Sequence, residues 1–326
     1  MGLLVNGKWQ DKWYDTEEHG GAFEREAAQL RHWVTADGSP GPNSDKHFPA
    51  ESGRYHLYVS YACPWAHRAL ILRQLKDLTQ HIDVSVVATD MLSDGWTFDE
   101  TKGSTGDKLY GMQFLRELYL KNSASYSGRV TVPVLWDTQT QTIVSNESAE
   151  IIRMLNSAFN EITDNNVDYY PQALQATINE TNELVYNTVN NGVYKAGFAT
   201  QQDVYDTAYD ELFNTLDELD QRLGQQRYLA GQAITEADWR LFTTLIRFDA
   251  VYHGHFKCNC QKISEFKHLA NYVRELYQVP TIADTVHFDH IKRHYYASHK
   301  TINPTQIIPQ GPAEDFNQPH NRQLIV

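Results

Sequence analysis

Cysteine is scarce in this 326-residue chain: Cys63, Cys258 and Cys260 are all it has. So sparse and odd a set cannot form a disulfide scaffold, and it points to a reducing compartment. Long hydrophobic runs are missing too, and no apolar stretch approaches the length of a membrane-spanning helix. The opening MGLLVNGKWQDKWYD has no basic stretch followed by an apolar run, so no signal peptide is expected. Asn6 stands where a myristoylation signal needs Ser or Thr. Positive charge is in deficit: 28 Lys and Arg against 41 Asp and Glu leave a net charge of −13. That argues against a nucleic-acid partner, whose phosphates must be neutralised by cations. The expectation is a soluble, cytoplasmic protein that engages neither membrane nor nucleic acid. What is present is an ordinary globular mixture, 41% hydrophobic and 21% charged, with chain enough for about two domains.

Residues 1–50 show little periodicity and read as an N-terminal extension with at most a short helix around Glu24–Val34. His56–Ser60 reads as a buried strand, Pro64 to about Lys76 as a helix apolar around most of its circumference, and Ile82–Val87 as a second strand. Strand–helix–strand at this spacing is a parallel βαβ unit. After a long insertion, about 88–128, Val130–Trp136 and Gln141–Ser145 read as a hairpin, followed by a helix from Glu147 to about Asn156. The order βαβ then ββα predicts a thioredoxin-like domain over 51–160. Residues 171–300 read as all helical: Leu174, Ile178, Thr181, Val185 and Thr188 keep helical spacing, as do Leu212, Leu216, Leu219 and Leu223, and again Phe266, Leu269, Val273 and Leu276. Thr235 to Asp238 is a capping-box start with Asp in place of Glu, and Ile234 and Trp239 are spaced as a hydrophobic staple. The polar, Pro-containing tail 301–326 is expected to lie over the surface.

The sharpest chemical signal is Tyr58-Val-Ser-Tyr-Ala-Cys-Pro-Trp-Ala-His-Arg68. It puts Cys63 between a strand and its helix, with Pro64 at the first helical position, where a missing N–H costs nothing. A sulfur there faces the helix's free N–H groups and positive dipole end, which favour thiolate over thiol, and His67 and Arg68 add positive charge nearby. The competing reading is a buried structural cysteine. Ala66 occupies the position of the second cysteine in a CxxC motif, so any mixed disulfide on Cys63 must be resolved by an external thiol.

These residues, together with Gly95-Trp-Thr-Phe-Asp99, RVTVPVLWD at 129–137, IVSNESAEIIR at 143–153, NNGVYKAGFAT at 190–200, TEADWRLFTTLIRFD at 235–249 and VHFDHIKRHYY at 286–296, resemble the glutathionyl-hydroquinone reductases, the Xi-class glutathione transferases. The resemblance implies an α+β/α glutathione-transferase fold, with a thioredoxin-like domain followed by an all-helical one. It also implies reduction of glutathionyl-hydroquinones by glutathione, a homodimer, no metal and no permanently bound cofactor, glutathione being a co-substrate. Carried over residue by residue, Cys63 is the nucleophile and Tyr194 a proton donor or acceptor, while Tyr252 and Tyr295 lie near the sulfur. Trp96, Arg129, Val130, Thr131, Val132, Glu147 and Ser148 bind glutathione. Pro133 fits the family's cis-proline, leaving the Val132 backbone free to pair with an extended peptide.

Pattern alone leaves several of these assignments open. Glu147 and Ser148 open a helix and could simply cap it; Arg129 could make a surface ion pair; Trp96 could be packing. The three tyrosines rest on resemblance alone. His253, His255, Cys258 and Cys260 could supply four zinc ligands, but their spacing is tighter than usual for a structural site, and no metal is expected. The rival activities are an omega-type thioltransferase or dehydroascorbate reductase, which would share Cys63, and a non-catalytic binding module.

Overall fold

The computed structural model describes residues 2–325, and the chain divides into two compact units. The first comprises residues up to Trp13, Glu26–Asp168 and Asp289–Ser298; the second comprises Tyr14–Arg25, Tyr169–Phe288 and the residues from His299 on.

In the first unit, β1 (Leu3–Val5) and β2 (Lys8–Gln10) form a hairpin, and β3 (Tyr55–Val59) leads through Cys63 into α1 (Pro64–Leu75). There follow β4 (Asp83–Val86), α2 (Leu115–Asn122), the short β5 (Gly128–Arg129), β6 (Val134–Asp137), β7 (Thr142–Ser145), α3 (Ser148–Ser157) and the single turn α4 (Asn160–Thr163). The main sheet has the order β4-β3-β6-β7. β3 and β4 are parallel and β6 is antiparallel to both β3 and β7, as the βαβ and hairpin readings require. All five residues of β3 are buried, because both faces of the sheet are covered. α1 and α3 pack together as a helical layer, and side chains of the 88–128 insertion pack onto the sheet residues. Tyr58 donates to Asp107 at 2.9 Å and meets Phe98 edge-on, while the Trp136 indole donates to Tyr110 Oη at 2.9 Å. The buried Arg54 bonds Asp137 through two nitrogens, at 2.9 and 2.7 Å, tying the start of β3 to the end of β6.

The structure differs from the sequence expectation in several places: the strand read over Val130–Trp136 is β6, Val134–Asp137, beginning after the cis Val132–Pro133 bond. Glu24–Val34 forms no helix. Residues 30–32 instead run antiparallel beside β7, with His32 N–H donating to Val144 O at 2.8 Å and Asn146 N–H to Leu30 O at 3.0 Å. The open edge of the sheet satisfies these backbone groups, and that outweighs the helix propensity of Glu26-Ala-Ala-Gln-Leu30. Residues 289–298, which the sequence reading leaves with the helical half, belong to the first unit. Arg293 binds Asp90 bidentately at 2.7 and 2.8 Å, and His294 Nδ1 lies 2.9 Å from Thr89 O.

The second unit contains α5 (Gln175–Val185), α6 (Gly192–Phe198), α7 (Gln202–Gln225), α8 (Glu236–Arg247), the turn α9 (His253–His255) and α10 (Leu269–Tyr277). The last helix, α11 (Phe288–Ser298), begins here and continues into the first unit. Leu212, Leu216, Leu219 and Leu223 are fully buried along α7, and Leu269, Val273 and Leu276 along α10. At the start of α8, the buried Asp238 accepts from Thr235 N–H at 2.8 Å, Leu229 N–H at 2.9 Å and Tyr272 Oη–H at 2.8 Å. Two π-helical turns, Tyr186–Asn190 and Phe248–Tyr252, interrupt the helices. The first shifts the buried position from Thr188, which the 3.6-residue period selects, to Val189. The tail is fastened to this unit: the fully buried Arg322 donates to Leu223 O at 2.5 Å, to Gln226 O at 3.1 Å and to Arg227 O. Among the described residues, no helix is long and apolar enough to cross a membrane.

Candidate functional site

Cys63 is the N-cap of α1, with Pro64 following at the helix start. Its carbonyl accepts the first helical bond, from His67 N–H at 3.0 Å, so the side chain projects at the end of the helix where N–H groups lack intrahelical acceptors. The half-buried thiol donates to Val132 O at 3.6 Å. The Val132–Pro133 bond is cis, as expected. Cys258 is fully buried, and burial pushes its thiol pKa up; Cys260 is exposed.

The strand before Pro133 is held in place from one side. Tyr119, fully buried on α2, donates to Thr131 O at 2.8 Å and accepts from Thr131 N–H at 3.2 Å. Asn146 Nδ2 reaches Tyr119 Oη at 3.3 Å, and its Oδ1 accepts from Leu30 N–H at 3.2 Å. Among the described residues, the Val132 N–H takes no hydrogen-bond partner and its carbonyl takes only the Cys63 thiol. That leaves one residue's donor and acceptor beside the sulfur, on a strand whose neighbours are already fixed.

The other residues expected at the site fall into clear environments. Glu147 is the N-cap of α3, its Oε1 accepting from Ala149 N–H at 2.9 Å, and Ser148 Oγ lies 3.4 Å from the Arg68 guanidinium. Arg129 Nε donates to Glu26 at 3.0 Å, and its terminal nitrogens reach the carbonyls of Lys12 and Trp13. Its guanidinium thus fastens the N-terminal segment to β5, and Val130 beside it is buried. Trp96 is 4% exposed and stacks on His294, with centroids 5.0 Å apart and planes 19° apart. Its buried indole N–H has no hydrogen-bond partner among the described residues. Tyr295, 1% exposed, follows His294 on the same stretch of α11. In the second unit, Tyr194 and Tyr252 come together with centroids 6.1 Å apart, and the Arg25 guanidinium lies 4.9 Å from the Tyr194 ring. Tyr252 closes one π-helical turn and Tyr194 lies shortly after the other.

Sequence reasoning missed Tyr119 and Arg31, and read Asn146 only as opening a helix with Glu147 and Ser148. Arg31 Nε donates to Glu150 at 3.0 Å, and that hydrogen bond is the main cause raising the Arg31 pKa. Only Asn146 carried a signal, as a polar residue just ahead of a helix start. Among the described residues, no three His, Cys, Asp or Glu side chains group as metal ligands.

The arrangement can do two things: present a sulfur at a helix N-terminus, and offer an extended peptide one backbone donor and acceptor beside it. Comparison with known proteins gives the family. The glutathione S-transferase N-terminal domain model matches residues 62–158 and the C-terminal domain model matches 202–275. The chain is 58% identical to glutathionyl-hydroquinone reductase YqjG of Escherichia coli (strain K12), covering 99% of both chains. It is 46% identical to glutathionyl-hydroquinone reductase PcpF of Sphingobium chlorophenolicum, over 96% of this chain and 97% of that one. The glutathione-bound structure of YqjG matches with a TM-score of 0.92 at 55% identity, covering 99% of each chain. The Xi-class transferase of Natrialba magadii matches at 0.91 with 48% identity, over 100% of this chain and 97% of that one. The chain belongs to the glutathione S-transferase family and, within it, to the Xi class of glutathionyl-hydroquinone reductases.

Proposed function

We propose that this protein reduces glutathionyl-hydroquinones to hydroquinones at the expense of glutathione. The observation that carries the reading is the Cys63 sulfur at the N-terminus of α1, 3.6 Å from the carbonyl of Val132, whose N–H is open to a peptide ligand. Glutathione is itself an extended peptide, so its cysteine can pair with the Val132 backbone as a strand pairs with an edge, and its sulfur then lies beside Cys63. At the start of α3, Ser148 offers its N–H and hydroxyl to the γ-glutamyl carboxylate, while Glu147 faces the adjacent ammonium. Trp96 donates its indole N–H to a glutathione carbonyl or carboxylate. Arg129, Val130 and Thr131 shape the strand, Arg129 by its hold on the N-terminal segment.

The Cys63 thiolate attacks the glutathione sulfur of the substrate. A sulfur–sulfur bond forms, the sulfur–aryl bond breaks, and its electron pair passes to the ring carbon, which takes up a proton. Tyr194 supplies that proton, and Tyr252 and Tyr295 hydrogen-bond the thiolate. The thiolate of a second glutathione attacks the mixed disulfide on Cys63, releasing glutathione disulfide and regenerating the Cys63 thiolate. One glutathionyl-hydroquinone and one glutathione thus give one hydroquinone and one glutathione disulfide, with no other oxidant or reductant. The chain acts as a homodimer in a cytoplasmic compartment where reduced glutathione is maintained, and neither metal nor bound cofactor takes part. Turnover of glutathionyl-menadiol with glutathione tests the reading. Menadiol and glutathione disulfide should appear in equal amounts; activity confined to glutathione mixed disulfides would instead favour an omega-type thioltransferase.

A further inference from the structure

The β1–β2 hairpin lies outside the reaction just described, yet it contacts or adjoins two of the segments assigned to glutathione. β1 pairs antiparallel with β5, Leu3 opposite Arg129 and Leu4 opposite Gly128, immediately ahead of Val130–Val132. Trp9, opposite Leu4 across the hairpin, reaches the other segment. Its indole Nε1 donates to Ser93 O at 2.9 Å. Its ring lies against Gly95, where a Cβ would come within 2.6 Å of Cη2 and where φ is +69°. No other residue type fits there, because an L side chain would meet both the ring and an unfavourable backbone conformation. Arg116 holds the same turn from a second direction. It stands 5.0 Å from the Trp9 ring centroid and donates to Asp94 O at 2.6 Å and to Asp94 Oδ1 at 3.2 Å. Trp96 follows directly, its carbonyl taken by Leu115 N–H at 3.0 Å. Both segments are otherwise irregular, and the hairpin supplies regular structure shared by the two.

We propose that Trp9 is a positioning residue, through which the N-terminal hairpin braces the Trp96 turn against the 128–132 strand and so sets the spacing between two walls of the glutathione site. The proposal rests on Trp96 and Val132 being glutathione contacts. The loss of Trp9 therefore acts on binding and leaves the chemistry of Cys63 alone.

The test is calorimetric titration of the full-length protein with S-methylglutathione, which binds as glutathione does but cannot exchange disulfides. Wild type binds, and Trp9→Ala binds about ten-fold more weakly, a coupling typical of residues in contact. Trp9→Phe, which keeps a ring against Gly95 but lacks the N–H, falls between. Iodoacetamide alkylates Cys63 at the same rate in all three. Combined with Trp96→Phe, the Trp9→Ala loss is less than additive, which general destabilisation would not produce. Wild-type affinity in Trp9→Ala, or strict additivity with Trp96→Phe, overturns the proposal and leaves the glutathione reading standing. Failure of wild type to bind S-methylglutathione overturns both. If Trp9→Ala does not fold, Trp9→Phe carries the test, and wild-type affinity there overturns the proposal.

Discussion

At the scale of single residues, Cys63 and Cys258 show how position decides reactivity. Cys63 is half-buried at a helix start, while Cys258 is buried with its thiol pushed upward, a state that disfavours the nucleophilic thiolate. Cys63→Ser is expected to abolish turnover, and Cys258→Ser with Cys260→Ser to leave most of it; steady-state rates with glutathionyl-menadiol decide. Tyr194 makes a sharper distinction. Breaking a disulfide expels a thiolate and needs little help, whereas breaking a sulfur–aryl bond leaves a carbon that must be protonated. Tyr194→Phe should therefore slow glutathionyl-hydroquinone reduction by about 10²–10⁴-fold, the range for losing a general acid, and slow a simple glutathione mixed disulfide far less. Equal loss on both substrates would remove Tyr194 from the proton-donor role. Cys63 was legible because a strand, Cys-Pro and a helix follow one another in sequence. The tyrosines were not: Tyr194 and Tyr252 are set by two π-helical turns, and a 3.6-residue period cannot show where a helix inserts a residue.

At the scale of elements, the start of α8 was readable to the residue. Thr235 and Asp238 bond as a capping box, and the structure adds Tyr272 and Leu229 as partners that sequence spacing cannot reveal. Asp238→Ala leaves buried donors from three residues without an acceptor. At about 1–3 kcal/mol for each lost partner, stability should fall by at least about 3 kcal/mol in urea unfolding. The tail gives a pH-dependent counterpart. Its Glu314 lines a cavity of about 420 Å³ with Asp249, Lys262 and Arg274. Burial, then the hydrogen bond and charge of Asp249, push Glu314 up to about 8, against the opposing pull of Lys262 and Arg274. The folded-state value lies above the ordinary one, so the contribution to docking is fully present below pH ~4.5 and lost as pH rises through about 8. Hydrogen exchange over 311–318, corrected for intrinsic rates, should quicken between pH 6 and pH 9, and Glu314→Gln should flatten that change. Exchange in wild type that is indifferent to pH would rule out this contribution of Glu314 to docking. The Glu24–Val34 segment marks the opposite limit: its composition favours helix, and only the open edge of β7 reveals why residues 30–32 are extended.

At the scale of the whole molecule, the order of strands and helices was legible because alternation and helical spacing report burial directly. The division into units was less so. Residues 289–298 belong to the first unit through Arg293, His294 and the Trp96 stack, partners about 200 positions earlier in sequence. Light scattering should return twice the chain mass, as expected of a homodimer, and a monomer at micromolar concentration would remove that part of the proposal. The central claim is that Cys63 takes glutathione from the hydroquinone as a covalent intermediate, and intact-protein mass spectrometry reads this directly. Mixed with one equivalent of glutathionyl-menadiol and no free glutathione, the protein should gain one glutathione per chain, mapped by peptide mass to Cys63, as one equivalent of menadiol is released. Menadiol released without an adduct, or an adduct on Cys258 or Cys260, would contradict the mechanism.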